Sequence, residues 1–327
     1  MTKRKLLMFL CGAVLLALPM FPAAAADDIP RIGFLGNSTA ELEAHLIGPF
    51  QEGLRDLGYV EGQNIHIEYQ WAQGDYSQFP DLIRELLARK VAVIVTAGTP
   101  ATLAVKKATK TVPLVMVAVG NPVGNGIVPS LKQPGGNITG LTSISTEMDG
   151  KRLELLKEIV PNITHVAVLW NSKSPLQVLA EKKVQEAAGV LGIEVLSLGV
   201  NTKEGIDEAF NLMRESRPEA LLVLADRLFL HHRVEIMKFA AQNRLPGVHA
   251  YRELVEEGGL MSYGPDYADM HRRAAYFVDR ILKGADPAGL PVERPARFHL
   301  VINMTAAQEL GLTIPETVLL RATEIIE

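Results

Sequence analysis

The side chains best suited to bind a small molecule in this sequence are polar residues that directly follow short apolar runs. These runs are typical of β-strands, and open α/β sheets bind ligands at the loops beyond the carboxyl ends of their strands. Amide, hydroxyl and carboxylate groups at such an edge can hydrogen-bond a ligand. The candidates are Asn37, Ser38, Thr39, Thr96, Gly98, Thr99, Asn121, Asn171, Asp226 and Tyr251.

The strongest of these candidates is the loop Thr96-Ala-Gly-Thr99. Gly98 lets the backbone approach a ligand, and Thr99 is placed to cap a helix whose first turn holds Pro100. Amide N–H groups and the helix dipole then converge on the loop, which suits a carboxylate. The alternative is that Thr99 only caps its helix.

Asp226 ends the most apolar strand of the second half of the chain. A carboxylate there can accept hydrogen bonds from a ligand ammonium or hydroxyl. Alternatively it caps a helix or pairs with Arg227 or Arg233. Asn37 and Asn171 hold matched positions in the two halves, which favours ligand contact for at least one of them, although each can also form an ordinary Asx turn.

Aromatic residues near the same strand ends can sandwich a planar or apolar ligand. Each of them can equally belong to the core. Those nearest the predicted edges are Trp71, Trp170, Phe229, Tyr251 and Tyr263.

Motifs of catalysis and metal binding do not accompany these residues. The sequence holds no Gly-x-Ser-x-Gly elbow, no phosphate loop ending in Gly-Lys-Ser/Thr, and no Gly-x-Gly-x-x-Gly after its first strand. His231 and His232 are neighbours, so on a helix they point about 100° apart, and we interpret them as a solvated helix start. We predict a protein that is not an enzyme and has no catalytic residues, metal or cofactor.

The elements that position the candidate residues occur twice along the chain. Two apolar runs, 31–37 and 165–171, each end in Asn and lead toward an amphipathic helix, and each is followed by further alternating strands and helices. Such alternation predicts parallel sheets. The predicted fold is therefore α/β, with two doubly wound parallel-sheet lobes joined by a multi-stranded hinge and a ligand cleft between them.

The boundary between the lobes is marked by a change in composition. From residue 120 to 146 the helical periodicity fails and Gly, Pro, Asn and Ser dominate. Further crossings are predicted near 265 and 293. The N-terminal lobe is then 27–142 plus 265–292 and the C-terminal lobe is 143–264 plus 293–327, on a hinge that permits rigid-body closure.

The first 26 residues have the layout of a cleaved signal peptide. Lys3-Arg-Lys5 precede an apolar run and a small-residue tract that ends at Ala26. An uncleaved anchor is the alternative. Beyond this leader no apolar segment is long enough to span a bilayer, and a formal net charge of −4 without a later Lys/Arg run argues against nucleic acid as a partner. We expect a mature chain that is not inserted in a membrane and lies outside the cytoplasm.

Several ordered segments resemble the ABC-transporter substrate-binding protein family related to tryptophan and tyrosine binders. They are TAGTP at 96–100, NPVGNGIV at 121–128, PGGNITGL at 134–141, GGLMSYGP at 258–265, and FHLVIN at 298–303 with LGLTIP at 310–315. The resemblance implies a type I periplasmic-binding-protein fold, a periplasmic location, and an inner-membrane permease with its ATPase as partners. Many members have Asp where this chain has Asn121, so the ligand of the family cannot be assigned to this chain.

These observations predict an extracytoplasmic solute-binding protein. It would close its two lobes over a small molecule that bears a carboxylate and is aromatic or amino-acid-like, and would deliver it to an ABC importer. Two alternatives stay open, namely a periplasmic sensory module that presents its ligand to a membrane receptor, and an enzyme with two α/β lobes.

Overall fold

The computed structural model describes residues 29–327, apart from the side chains of residues 145–147. The predicted signal peptide, residues 1–26, lies outside the described residues.

The first lobe is built on five parallel strands. In chain order its elements are β1 (Arg31–Gly36), α1 (Ala40–Asp56), β2 (His66–Trp71), α2 (Phe79–Ala88), β3 (Val93–Ala97), α3 (Thr99–Ala108), β4 (Leu114–Val119) and β5 (Ile138–Thr142). The strand order is β2-β1-β3-β4-β5. All residues of β3 and β4 are buried, and both strands are almost uninterrupted apolar runs, as expected for parallel strands covered on both faces.

The second lobe begins with α4 (Ser145–Ile159). Its further elements are β6 (His165–Asn171), α5 (Pro175–Leu191), β7 (Glu194–Val200), α6 (Lys203–Ser216), β8 (Ala220–Val223), α7 (Arg227–His231), α8 (Arg233–Gln242), β9 (Val248–His249), α9 (Arg252–Glu256) and β10 (Met261–Pro265). The strands β7-β6-β8 form a parallel sheet. The amide of Leu221 in β8 donates to Pro246 O at 3.0 Å, which joins this sheet to the strands that follow.

The remainder of the chain leaves the second lobe and returns to it. It contains α10 (Tyr267–Leu282), β11 (Phe298–Asn303), α11 (Met304–Leu310), α12 (Glu316–Leu319) and β12 (Glu324–Ile326). A second sheet has the order β12-β11-β10-β9, and β11 runs antiparallel to β10. The α/β prediction is therefore confirmed, but the second lobe is not wholly parallel. The chain leaves β10 at Pro265 and re-enters opposite it at Phe298, so β11 must run back.

Helix α10 packs on the first lobe. Arg272 pairs with Glu52 of α1 at 3.0 Å, and the hydroxyl of Tyr59 donates to Asp279 at 3.1 Å. On the way back, the amide of Thr142 at the end of β5 donates to Glu293 O at 2.9 Å. We propose the division into 27–142 plus 265–292 and 143–264 plus 293–327, in which α10 belongs to the first lobe and the bond between Thr142 and Glu293 lies at the boundary between the lobes.

The two lobes touch across the cleft. One apolar cluster continues from Ala97 of β3 through Tyr267 to Leu228 of the second lobe. The structure therefore represents a closed arrangement, and the site lies where the lobes meet.

Candidate functional site

Three cavities follow one another along the interface between the lobes. The central chamber, about 20 Å³, is lined from the first lobe by Gly98, Thr99 and Gly120 and from the second by Ser143, Ser174, Asp226, Arg227 and Tyr251, with Tyr267 of α10. The outer groove, about 680 Å³, shares Thr99, Pro100 and Ser174 with the central chamber. The hinge chamber, about 370 Å³, shares Tyr267 with the central chamber.

Arg227 dominates the central chamber. It is the first residue of α7, directly after the cap Asp226, and only 4% of it is exposed. Its guanidinium carbon lies 5.3 Å from the centre of the Tyr251 ring and 5.5 Å from that of Tyr267, within cation–π distance. Across the cleft, the Arg227 Cγ packs against Gly98, where an added Cβ would lie 3.5 Å from it.

The charge of Arg227 is left without a hydrogen-bond acceptor. Neither Nη1 nor Nη2 has a partner among the described residues. Burial acts to lower the pKa of Arg227. The electrostatic interactions with Tyr251 and Glu43 act in the opposite direction and are stronger, so the pKa is raised and the guanidinium stays charged. An unpaired buried charge is costly, and a carboxylate binds a guanidinium through two parallel hydrogen bonds. The guanidinium is therefore suited to a carboxylate, which would reach it from the adjoining outer groove.

Two hydroxyl groups in the chamber are also unpaired. Thr99 Oγ1 and Tyr267 OH are buried and have no partner in the described part of the chain. Buried polar groups in native proteins are nearly always hydrogen-bonded. These two hydroxyls and the guanidinium come from opposite sides of the cleft, so a ligand between them would contact both lobes.

The Thr96–Thr99 loop reaches the chamber, but not as predicted. Gly98 is the N-cap of α3, with φ +80, and Thr99 is the first helical residue. The prediction that Thr99 caps the helix is wrong, because glycine adopts this positive φ without steric cost. The Thr99 side chain is thereby free to face the chamber. Thr96 does not face it, since its hydroxyl donates to Leu35 O at 2.7 Å within the sheet.

Asp226 lines the chamber and is engaged by protein groups. Its Oδ1 accepts from Leu228 N at 2.9 Å, which caps α7, and from the Tyr76 hydroxyl at 3.0 Å. Burial raises the pKa of Asp226. The capping alternative is thus observed, whereas Arg233 pairs with Glu257 instead.

The residues after β1 contact neighbouring protein groups rather than the central chamber. Asn37 Nδ2 donates to Ala97 O at 3.0 Å, and Thr39 caps α1 through Leu42 N at 3.3 Å. The Ser38 hydroxyl and His231 Nδ1 are 2.6 Å apart and bridge the lobes. His231 is the last residue of α7, whereas His232 is the N-cap of α8, so the predicted helix start is wrong for His231 and confirmed for His232.

Asn121 and Asn171 form local turns. Asn121 has φ +47 and its Oδ1 accepts from Gly124 N at 2.9 Å. Its neighbour Gly120 lines the central chamber, but Asn121 does not. Asn171 Oδ1 accepts from Lys173 N at 3.0 Å, and the residue lines the outer groove.

Tyr251 and Tyr263 have different positions. Tyr251 lies in the central chamber beneath Arg227. Tyr263 packs on Phe298, with ring centres 6.4 Å apart, and lines none of the three cavities. Ser262 and Gly264 face the hinge chamber, and successive side chains of a strand point to opposite faces, so Tyr263 must point away.

Sequence reasoning missed Arg227, Tyr267, Ser143 and Ser174 as residues of the chamber. Arg227 follows Asp226 directly, and from the sequence we consider it only as a possible partner of that carboxylate. Its position at the start of a helix, after a buried strand, could have indicated a ligand contact.

Residues 29–327 contain neither a metal-binding cluster nor a membrane-spanning helix. No group of three or more His, Cys, Asp or Glu residues there could hold a metal ion. No helix in the same range is both long and apolar enough to cross a bilayer.

Comparison with known proteins gives consistent results. The profile of the family described as ABC transporter substrate binding protein matches residues 41–326. A tyrosine-binding protein of Clostridioides difficile is 28% identical over 263 residues, which cover 80% of this chain and 75% of that protein.

Solved structures extend the comparison to three dimensions. A conserved domain protein of Vibrio cholerae has a TM-score of 0.85 and 31% identity, with 91% of this chain and 99% of that one covered. An ABC domain of Streptococcus pneumoniae in complex with L-Trp has a TM-score of 0.84 and 29% identity at the same coverage.

Proposed function

The chain belongs to the ABC transporter substrate-binding protein family, and from this premise we propose that it is an extracytoplasmic receptor for a small carboxylate. It closes its two lobes over the ligand and delivers it to an ABC importer, with the permease and ATPase of that importer as partners. The observation that carries the proposal is the buried Arg227 guanidinium, which has no acceptor among the described residues.

Closure and binding are coupled through this charge. Closing the empty cleft buries the guanidinium without an acceptor, which costs several kcal/mol. A ligand carboxylate removes that cost in the closed state alone. Because a ligand shifts a conformational equilibrium only through its differential affinity for the two states, this interaction drives closure.

The outer groove suits an apolar part of the same ligand. Tyr76, Phe79 and Leu103 line it, and it adjoins the central chamber at Thr99 and Ser174. A carboxylate at Arg227 can therefore extend an aromatic or aliphatic group toward the mouth of the cleft. The similarity to a tyrosine-binding protein and to a domain that binds L-Trp makes aromatic amino acids the first compounds to test.

The test compares each amino acid with its decarboxylated counterpart. L-Tyrosine and L-tryptophan are titrated calorimetrically against tyramine and tryptamine. We expect the carboxylates to bind about ten- to a hundredfold more tightly, since a hydrogen bond to a charged group contributes about 1.5–3 kcal/mol. Arg227→Gln should remove this preference, and Arg233→Gln, which pairs with Glu257 outside the chamber, is the matched control. A decarboxylated compound that binds as tightly as its parent would contradict the proposal.

The periplasmic location rests on the leader. Expression with the native leader in a Gram-negative host should give a product in the periplasmic fraction that begins at or near Asp27. A full-length product retained in the cytoplasm would exclude this location.

A further inference from the structure

The hinge chamber is lined by both lobes and by the chain that crosses between them. His45 comes from α1, Glu253 and Glu256 from α9, Asp266 and Tyr267 from the start of α10, and His299 from β11. The chamber is thus complete only when α1 and α9 face each other, as they do in the closed arrangement.

Carboxylates outnumber Lys and Arg among the residues that line this chamber. Arg252 is the single Lys or Arg among the residues that line it, and this side chain already pairs with Glu256 at 3.1 Å and with Glu324 at 2.9 Å. Asp266 is 3.5 Å from His299. The Oε1 atom of Glu253 lies 2.5 Å from His45 Nε2, and its Oε2 atom takes no part in this ion pair.

The second oxygen of Glu253 is the unsatisfied group. Only 4% of Glu253 is exposed, and its Oε2 has no hydrogen-bonding partner among the described residues. Burial acts to raise the pKa of Glu253, but the bond from His45 and the charges of His45 and Arg227 outweigh it, so the pKa is lowered and the carboxylate is ionised. A buried, ionised oxygen without a donor calls for a cationic donor.

Tyr267 connects this chamber with the central one. Its hydroxyl is buried and unpaired in the described part of the chain, and the residue lines both chambers. A tyrosine hydroxyl can accept a hydrogen bond from an ammonium group.

We infer that the hinge chamber binds an organic ammonium group, which donates to Glu253 Oε2 and to the hydroxyl of Tyr267. A primary ammonium carries three donors and a charge, and so it supplies both missing partners. The inference rests on the proposed function, because it needs the closed lobes. The ammonium is either the amino end of the molecule whose carboxylate is at Arg227 or a separate amine.

The first experiment uses a small amine as its probe. The melting temperature of the protein is measured with ethanolamine and with ethylene glycol, which lacks the charge. A ligand that binds the folded state raises the melting temperature. We therefore expect ethanolamine to raise the melting temperature and ethylene glycol to leave it unchanged. Glu253→Gln should abolish the rise. Glu256→Gln, on the same helix but about half exposed, should retain it.

A further variant separates the ammonium site from the contact between the lobes. His45→Asn breaks the same ion pair as Glu253→Gln but keeps the carboxylate, so it should still respond to ethanolamine. If Glu253→Gln does not fold, a crystal structure of the unaltered protein grown with ethanolamine must show its nitrogen at Glu253. The absence of an ethanolamine response, or an equal response in Glu253→Gln, would overturn the inference.

A second arm identifies the source of the ammonium. L-Tyrosine is compared with 3-(4-hydroxyphenyl)propionate, which lacks the amino group. If the two groups belong to one ligand, Glu253→Gln weakens the binding of L-tyrosine about ten- to a hundredfold and leaves the acid unaffected. If the carboxylate and the ammonium belong to separate ligands, the protein binds ethanolamine and the acid at the same time. The preference for a carboxylate, which depends on Arg227, is measured separately and can fail or succeed independently.

Discussion

The hydroxyl of Tyr76 in the first lobe donates a hydrogen bond of 3.0 Å to Asp226 Oδ1 in the second lobe. Burial raises the pKa of Tyr76, with the charge of Asp226 adding to the effect, so the hydroxyl stays protonated and remains a donor. The bond can form only when the lobes are closed, because its two ends belong to different lobes. It is therefore one of the interactions that hold the cleft shut.

Tyr76→Phe should weaken ligand binding through closure. The lost hydrogen bond contributes about 0.5–1.5 kcal/mol, equivalent to an increase of about two- to tenfold in the dissociation constant. Tyr69→Phe is the control, because the Tyr69 hydroxyl accepts from Gln51 within the first lobe. Calorimetry on both variants measures the effect. Equal affinities for the two variants would show that the Tyr76 bond does not contribute to closure.

Thr99→Ala should weaken ligand binding without affecting stability, whereas Asp226→Ala should reduce both. The Thr99 hydroxyl has no hydrogen-bonding partner in the part of the chain that the structure describes, so its removal should cost about 1 kcal/mol of ligand affinity and leave the melting temperature nearly unchanged. Asp226 caps α7, so Asp226→Ala should lower the free energy of unfolding by about 1 kcal/mol. It should also weaken binding, because closure loses the bond from Tyr76. If Thr99→Ala lowers the free energy of unfolding and Asp226→Ala does not, the structural role belongs to Thr99 and not to Asp226.

Two helical glycines should respond oppositely to alanine. At Gly53 of α1 an added Cβ would clash with the carbonyl oxygen of Arg272 and lie 2.9 Å from Ala275 Cβ, both in α10. Gly53→Ala should therefore lower the free energy of unfolding by about 1–3 kcal/mol. At Gly189 of α5 an added Cβ would have no neighbour within 4 Å outside its own turn of helix, so Gly189→Ala should raise the free energy of unfolding by about 0.5–1 kcal/mol. Urea unfolding compares the two, and similar effects would contradict the close packing of α10 on α1.

Acid should destabilise the fold through two buried histidines. Burial, with the charge of Arg152 as a smaller cause, lowers the pKa of His249 to about 3, and burial lowers the pKa of His271 to about 3 as well. Both remain neutral in the folded state but bind protons in the unfolded state below the ordinary value of 6.5. Their contribution to stability is complete above 6.5 and is lost progressively as the pH falls toward 3.

The effect is measured by urea unfolding about one pH unit above and one below 6.5. The two histidines together should lower the free energy of unfolding by about 2–3 kcal/mol across this interval. His249→Gln should halve the change, since one titrating group is removed. A stability that does not vary across the interval would show that neither histidine is held neutral.

Much of the fold was predictable because local patterns determine it. The apolar run at 31–37 is observed as the strand Arg31–Gly36, and that at 165–171 as the strand His165–Asn171, since continuous apolar runs mark buried strands. The reversal of β11 was not predictable in this way, because it depends on where the chain re-enters the second lobe.

The candidate site was only partly predictable. Gly98, Thr99, Asp226 and Tyr251 lie in the central chamber as expected of residues at strand ends. Arg227 was missed because its unpaired state depends on Gly98, Tyr251 and Tyr267, which come from three separate segments. Asn121 satisfies its own turn, and a sequence does not show whether a polar group finds such a local partner.

Small-angle X-ray scattering tests the central claim most directly, that a ligand carboxylate at Arg227 closes the two lobes. The radius of gyration is measured with and without saturating amounts of the carboxylate that binds most tightly by calorimetry. We predict a smaller radius with ligand for the unaltered protein and for Arg233→Gln, and no decrease for Arg227→Gln. The account would be contradicted if the radius of the unaltered protein did not change at saturation. It would also be contradicted if ligand reduced the radius of Arg227→Gln as much as that of the unaltered protein.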